Sequence, residues 1–293
     1  MEHYDFIVIG SGPAGRRAAI QAAKFGKKVL VVERGSRVGG VSVHTGTIPS
    51  KTLRETALNL SGWRERGFYG RSYRVKQDLT ANDLRARLHI TLNHEIEVLE
   101  HQFARNQVTT LRGEARFSDK YTIEVLGEEG ESFTFSADKF LLAVGTMPHR
   151  PDTIPFDGEH IFDSEQILNL DHLPRSIAVI GAGVIGIEYA TIFSSLDVHV
   201  TLVEPRDGML DFIDRELVDD FTHQLKDRGM VLRFGKQVLD IQKLDEGGCE
   251  ITMDGQRNIR CEMVLYAAGR VGSTGNLNIE ACNLSADSRG RLK

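Results

Sequence analysis

Phe6-Ile-Val-Ile-Gly-Ser-Gly-Pro-Ala-Gly15 decides the fold of this 293-residue chain. The apolar run Phe6 to Ile9 predicts a buried strand. Gly10-Ser11-Gly12-Pro13-Ala14-Gly15 fits G-x-G-x-x-G, and the alanine-rich stretch Ala18 to Ala23 predicts the helix that follows. Lys28 to Glu33 reads as a second strand ending in a carboxylate. Strand, glycine turn, helix, strand and acid in this order form the dinucleotide-binding fingerprint. In it Gly10 permits the tight turn, Gly12 lets a pyrophosphate approach the backbone, and Gly15 lets helix and strand pack closely. The free N–H groups at the helix start face the phosphate, and Glu33 can accept hydrogen bonds from a ribose diol.

The pattern recurs. After Ser176 the run Ile177 to Ile180 is again apolar, Gly181-Ala-Gly183-Val184-Ile185-Gly186 repeats the turn, and Val198 to Glu204 repeats the second strand. Gly10 to Glu33 and Gly181 to Glu204 both span 23 positions. Two copies in register predict two dinucleotides side by side, an arrangement suited to passing a hydride between a flavin and a nicotinamide.

Composition bounds the rest. The length suggests about two domains, and the 41% apolar content is enough for real cores. A net charge of −5 with interspersed signs argues against general nucleic-acid binding. No apolar run approaches the ~20 residues needed to span a bilayer, so no membrane partner is expected. The first strand starts so early that a signal peptide has no room. Cys249, Cys261 and Cys282 are an odd number without zinc spacing, which predicts reduced thiols in a cytoplasmic protein.

After Glu33 and Arg34 come adjacent glycines, Gly39 and Gly40, then Val41-Ser-Val-His-Thr-Gly-Thr-Ile-Pro-Ser-Lys51. Paired glycines imply close backbone approach, and Pro49 to Leu53 predicts a helix start. This stretch resembles the active-site segment G-G-T-C-x-x-x-G-C-I-P-S-K of the flavoprotein disulfide reductases, such as glutathione reductase. In that family the two cysteines form the redox disulfide beside the flavin. Here Ser42 and Thr47 stand in their places, and hydroxyls cannot form a disulfide. Within the family this is similar to the soluble pyridine nucleotide transhydrogenases, which lack the redox pair.

The resemblance runs from Tyr4 to the chain end. It implies an α/β, glutathione-reductase-like fold of two Rossmann-like domains, three-layered with an antiparallel meander. The domains would be 1–147 for FAD, 148–271 for NAD(P), and 272–293 as the start of a return to the FAD domain. It implies FAD as cofactor, with NAD and NADP as substrates. Lys51 and Glu188 would pair beside the flavin ring, a buried Lys favouring the anionic reduced flavin and its Glu offsetting desolvation. Gly113-Glu114-Ala115 resembles the segment at the adenine end of FAD, and Lys139 to Gly145 the strand that closes the flavin domain. Met263 to Arg270 looks like the segment along the nicotinamide cofactor, with Gly269 and Arg270 as the contacts. Glu204 suits an unphosphorylated ribose, while Arg206 could meet a 2′-phosphate, leaving NAD and NADP both open. Family members continue further, into a C-terminal dimerisation domain. The chain is therefore expected to be truncated, its longer parent a homodimer or higher homo-oligomer.

Elsewhere the reading is structural. Residues 54–77, with Trp63, predict surface helix and loop. Asp78 to Arg105 predicts a long helix with Leu84, Leu88, Leu92, Ile96, Leu99 and Phe103 on one face. Its histidines lack a supporting acid motif, so no metal site is expected. Thr109–Leu111, Ala115–Phe117, Tyr121–Val125 and Ser132–Phe135 predict an antiparallel meander. The prolines between Pro148 and Pro174 suggest a linker, and Asp214 to Arg228 an amphipathic helix.

NADPH-to-NAD hydride transfer through FAD is the activity the resemblance implies. Its rivals are an NAD(P)H diaphorase or quinone reductase of the same fold, and a fragment that binds nucleotide without turnover.

Overall fold

The computed structural model describes residues 1–70, 72–255 and 258–292. In chain order the first elements are β1 (Glu2–Ile9), α1 (Pro13–Lys24), β2 (Val29–Glu33), α2 (Gly40–His44) and α3 (Thr47–Leu60). After a 3₁₀ turn at Trp63–Glu65 come α4 (Arg66–Tyr69) and α5 (Ala81–Arg105). Five strands follow: β3 (Thr109–Arg112), β4 (Glu114–Asp119), β5 (Thr122–Leu126), β6 (Ser132–Leu142) and β7 (Thr146–Pro148). The later elements are β8 (Ile161–Asp163), β9 (Ser176–Ile180), α6 (Val184–Ser195), β10 (His199–Glu204), α7 (Arg215–Asp227) and β11 (Val231–Phe234). The last strands are β12 (Val238–Lys243), β13 (Cys249–Met253), β14 (Ile259–Cys261), β15 (Met263–Tyr266) and β16 (Arg270–Gly272).

Two compact units divide these elements. One comprises Met1–Pro49, Ile90–Met147 and the segment from Arg270 onward; the other comprises Ser50–His89 and Pro148–Gly269.

The first unit holds a six-stranded sheet in the order β3-β2-β1-β6-β5-β4. β3, β2, β1 and the second half of β6 run parallel, while β4, β5 and the first half of β6 form an antiparallel flap. Side chains alternate between the sheet's two faces, and each face carries its own core. Ile7, Leu30, Val32, Ile123 and Phe117 belong to one; Val8, Val29, Val31 and Ala19 pack with Ile96, Leu99 and Phe103 of α5 in the other. Burying a side chain such as Leu30 stabilises the fold by about 1.5–3 kcal/mol.

The second unit holds a parallel sheet, β11-β10-β9-β15-β8, and a separate antiparallel sheet, β12-β13-β14. Ile161, Ala178, Ile180, Val203, Ile241, Ile251 and Val264 join the two into one core. α6 has buried residues almost all round, as its apolar sequence requires, whereas α7 buries only Leu225 fully. Asp214 caps α7 by accepting from the Glu216 N–H.

At four places the structure differs from what the sequence predicts. Thr109–Leu111 is not part of the meander: β3 pairs parallel with β2, its register running from Leu30↔Thr109 to Glu33↔Arg112. Ser132–Phe135 and Lys139–Leu142 are one strand, because Ser136-Ala137-Asp138 holds no glycine or proline to break it. Met263 to Arg270 is two strands, interrupted where Gly269 takes φ +117°. β12 and β14, short and mixed in polarity, escape the sequence reading altogether. No helix among the described residues is long and apolar enough to cross a membrane.

Candidate functional site

In the first unit, β1 delivers the chain into a turn that tolerates glycine alone at two points. A Cβ on Gly10, which has φ +102°, would lie 2.4 Å from the Ala143 carbonyl oxygen. A Cβ on Gly15 would lie 1.9 Å from the Gly10 carbonyl oxygen, so Gly15 sets how closely α1 meets the strand. Gly12 differs: a Cβ there meets nothing within 4 Å. The turn is therefore open at the position where the fingerprint brings a diphosphate to the backbone. Pro13 and Ala14 begin α1 here, so the unpaired N–H groups of the helix start, with their partial positive charge, lie beside that opening. This donor set fits a dinucleotide diphosphate.

Glu33 at the end of β2 holds the turn together. Its Oε2 accepts from the Ser11 N–H at 2.9 Å and the Ser11 hydroxyl at 2.5 Å, and its Oε1 accepts from the Gly35 N–H at 2.8 Å. The Ser11 hydroxyl in turn accepts from the Gly39 N–H at 2.8 Å. A carboxylate has about four acceptor sites; three are used, which leaves capacity for one ribose hydroxyl. The double glycine follows from this arrangement, since a Cβ on Gly40 would lie 2.8 Å from the Gly12 Cα. A cleft of about 360 Å³ opens at Glu33 and is lined also by Gly35, Arg37, Glu100 and Arg112. Arg37 donates to Glu100 at 3.0 and 2.8 Å across it. Arg34 is exposed, and Ala115 is buried on β4.

Val41 and Ser42 lie on α2, and Thr47 is the first residue of α3. The Ser42 hydroxyl donates to the Gly39 carbonyl at 3.3 Å. The three cysteines are free and stand elsewhere. Cys249 and Cys261 oppose each other in register between β13 and β14, and burial pushes their thiols up to about 12 and about 11. Thiols held so far above neutrality are poor nucleophiles. Gly145 has φ +66°, and its carbonyl accepts from the Ser273 N–H at 3.1 Å. The Arg270 guanidinium is engaged by Thr146, donating to its Oγ1 at 2.8 Å and to its carbonyl at 2.7 Å.

The second unit repeats the glycine geometry of this turn, with Ala182 in the place of Ser11. Gly181 has φ +105°, a Cβ on Gly186 would lie 1.9 Å from the Gly181 carbonyl oxygen, and a Cβ on Gly183 meets nothing within 4 Å. Val184 and Ile185 begin α6. Glu204 is only 4% exposed and again braces the turn, accepting from the Ala182 N–H at 2.7 Å. Here Arg206 folds onto the same carboxylate, its Nε 2.8 Å from Oε1, and also donates to Asp211 at 2.5 Å. Burial alone would raise the Glu204 pKa. The guanidinium and the Ala182 and Arg206 N–H groups more than offset it, leaving the carboxyl below its usual value.

Lys51 on α3 and Glu188 on α6 meet within this second unit, Lys51 Nζ donating directly to Glu188 Oε1. The Lys51 side chain is 55% exposed and that of Glu188 is 29% exposed.

Two residues organise their loops in ways that their sequence motifs do not state. Ser11 occupies a variable position of the motif, yet its hydroxyl links the turn to Glu33 and Gly39. Asp163 is 1% exposed; it accepts from the Glu165 and Gln166 N–H groups and from Arg150 Nε at 2.6 Å. The Asp-Ser pair at 163–164 is its only sequence signal. Asp157, Glu159 and His160 bring possible ligand atoms within 4.8 Å of one another. Lys243 Nζ, 3.2 Å from Asp157 and 2.9 Å from Glu159, already supplies the positive charge there.

Two Rossmann-type units, each with a braced glycine turn open at its middle glycine, define the class of proteins with paired dinucleotide-binding folds. The chain belongs to the pyridine nucleotide-disulphide oxidoreductase family, which it matches over residues 4–293. That family is FAD-dependent and uses pyridine nucleotides. The chain is 46% identical over 293 residues to a soluble pyridine nucleotide transhydrogenase of Mycobacterium tuberculosis, covering 100% of this chain and 62% of that protein. It is 37% identical over 290 residues to the protein of the same name from Colwellia psychrerythraea, covering 99% of this chain and 62% of the relative. Among solved structures it is similar to the Cu(II) complex of the HOCl-induced flavoprotein disulfide reductase RclA from Escherichia coli. The TM-score there is 0.86 at 24% identity, over 100% of this chain and 62% of that one, a likeness of fold. The chain thus spans 62% of the length of the curated relatives it matches.

Proposed function

We propose that this chain carries the dinucleotide-binding part of an FAD-dependent soluble transhydrogenase, moving a hydride from NADPH to NAD. The observation that carries the reading is the pairing of two open, braced glycine turns with Ser42 and Thr47 in place of a redox disulfide. When bound, FAD supplies the two-electron chemistry, taking a hydride from one nicotinamide and giving it to another.

The chain's own residues bind and orient. The first turn, Gly10 to Gly15, holds the FAD diphosphate on the α1 N-terminus, with Glu33 braced to take a ribose hydroxyl and the adjoining cleft receiving the nucleoside end. Val41, Ser42 and Thr47 line the flavin without redox chemistry of their own, and Ala115 and Gly145 support it. The second turn, Gly181 to Gly186, holds NAD or NADP in alternation, with Gly269 and Arg270 as further contacts. Glu204, whose acceptor sites are taken by the Ala182 N–H and by Arg206, accepts from the ribose diol of NAD in exchange for an Arg206 donor. Arg206 swings from Glu204 to the 2′-phosphate of NADP, so one pocket serves both nucleotides. Lys51 and Glu188 position charge at the reacting end.

The reading is supported by the family match and by the names of the relatives. It is tested by steady-state assay with NADPH as donor, offering thio-NAD, a quinone and glutathione disulfide in turn. Transfer to thio-NAD without disulfide reduction is the expected result. Reduction of the disulfide, or of the quinone alone, would overturn it.

A further inference from the structure

A cluster of cationic side chains lies outside both glycine turns. In the first unit, α1 and the last turn of α5 border a cleft of about 350 Å³. Arg16, Arg17, Gln21 and Lys24 line it from α1, and Gln102 and Arg105 from α5. Arg17, Gln21 and Lys24 recur at the four- and three-residue steps that place side chains on one helix face.

Four cations therefore share one concave surface on a chain whose net charge is −5. Among the described residues none of the four has an ion pair or a side-chain hydrogen bond. Glu100, the carboxylate nearest in sequence on α5, is committed to Arg37. The Nε of Arg16 is buried and has no hydrogen-bond partner.

Helix stability does not explain the cluster. Lys24 and Arg105 lie in the last turns of their helices, where the dipole favours cations, but Arg16 stands at the end of the first turn of α1, where it is unfavourable. Crowded like charges raise the local potential and lower the free energy of any multivalent anion that spans them. Arginine forks match phosphate oxygens two at a time, and the volume lies within the usual range of small-ligand pockets.

We propose that this cleft binds a small polyanion bearing two or more phosphate groups, held by Arg16, Arg17, Lys24 and Arg105. A single phosphate carries too little charge to satisfy cations contributed from two helices. The concavity and the net negative charge of the chain suit a compact ligand better than a nucleic acid or an anionic bilayer.

The probe is inorganic tripolyphosphate, applied with FAD and NAD present so that both glycine turns are filled. Acylation of surface lysines is followed by peptide mass spectrometry. Lys24 should acylate at least 5-fold more slowly with the probe, while Lys139, exposed on the same unit, keeps its rate. Sulfate at matched ionic strength should not protect Lys24. By titration calorimetry, Arg17→Gln with Arg105→Gln should weaken tripolyphosphate binding at least 10-fold. An unprotected Lys24, equal protection by sulfate, or wild-type affinity in the double variant would each overturn the proposal. Tighter binding of a single-stranded oligonucleotide or of anionic vesicles at the same residues would replace the polyanion as ligand.

Discussion

The middle and last glycines of the second fingerprint should fail in opposite ways when given a methyl group. At Gly186 a Cβ would lie 1.9 Å from a backbone oxygen, well inside ordinary contact at 3.4 Å or more. Gly186 lies in α6 and Gly181 directly follows β9, so α6 must lift from the end of β9 by more than an ångström. Overpacking of this kind costs about 3 kcal/mol, or roughly 6–12 °C in Tm for a cooperative unit of this size. At Gly183 the backbone is extended, with φ −78°, and a Cβ meets nothing within 4 Å. Gly183→Ala should therefore shift Tm by no more than about 2 °C, the small loss at the helix N-cap being offset by reduced freedom of the unfolded chain. The methyl would instead occupy the space in which the diphosphate approaches. A clash of about 2 kcal/mol weakens binding roughly 30-fold. The assay is thermal melting of wild type and variant with and without NAD. At about 100 times its Kd, NAD adds roughly 2.7 kcal/mol to wild type and about 0.9 kcal/mol to Gly183→Ala. A Gly183→Ala protein that gains as much from NAD as wild type would refute this assignment of the diphosphate. A Gly186→Ala protein as stable as wild type would refute the packing argument.

Arg206→Ala should raise the KM for NADPH about 10-fold, since charge-assisted hydrogen bonds are worth about 1.5–3 kcal/mol, and leave that for NAD nearly unchanged. Equal changes for both nucleotides would remove Arg206 from the 2′-phosphate site. Glu188→Gln breaks the pair with Lys51, which is half exposed, so stability should fall by less than about 1 kcal/mol. Stopped-flow flavin reduction should nevertheless slow, and an unchanged rate would count against a role at the reacting end. Burial raises the Asp157 pKa, but the N–H groups of Ile161, His160 and Glu159 and the Lys243 ammonium more than offset it and hold the carboxyl well below its usual value. Such a group stabilises the fold above its unfolded pKa, near 4, and that contribution is lost as pH falls toward the folded value. Asp157→Asn should therefore lower stability by about 2 kcal/mol at pH 7 and flatten the acid limb of a urea-melt series. An unchanged pH profile would contradict it.

Much of this was legible in the sequence because glycine leaves a physical signature. Gly10, Gly15, Gly181 and Gly186 are each fixed by a clash that any side chain would create, and the equal spacing to Glu33 and Glu204 exposes the repeated unit. Both glutamates, expected at a ribose, also brace the turns through Ser11 and Ala182, a role visible only when the hydrogen bonds are seen. The single strand β6 was hidden because its two halves pair differently, antiparallel to β5 and then parallel to β1. β3 was misassigned because a short strand gives no sign of which neighbour it joins. Lys51 could be matched to Glu188 through the family motif, but its exposure depends on tertiary surroundings that no local pattern encodes.

In the proposed reaction one flavin mediates between two nicotinamides with no thiol relay. A visible spectrum of the purified chain, taken anaerobically before and after NADPH and again after NAD, tests it most directly. The expected result is a flavin band that bleaches with NADPH and recovers when NAD is added. A chain that shows no flavin band and gains none on adding FAD, or a bleached band that recovers only with a disulfide, would contradict it.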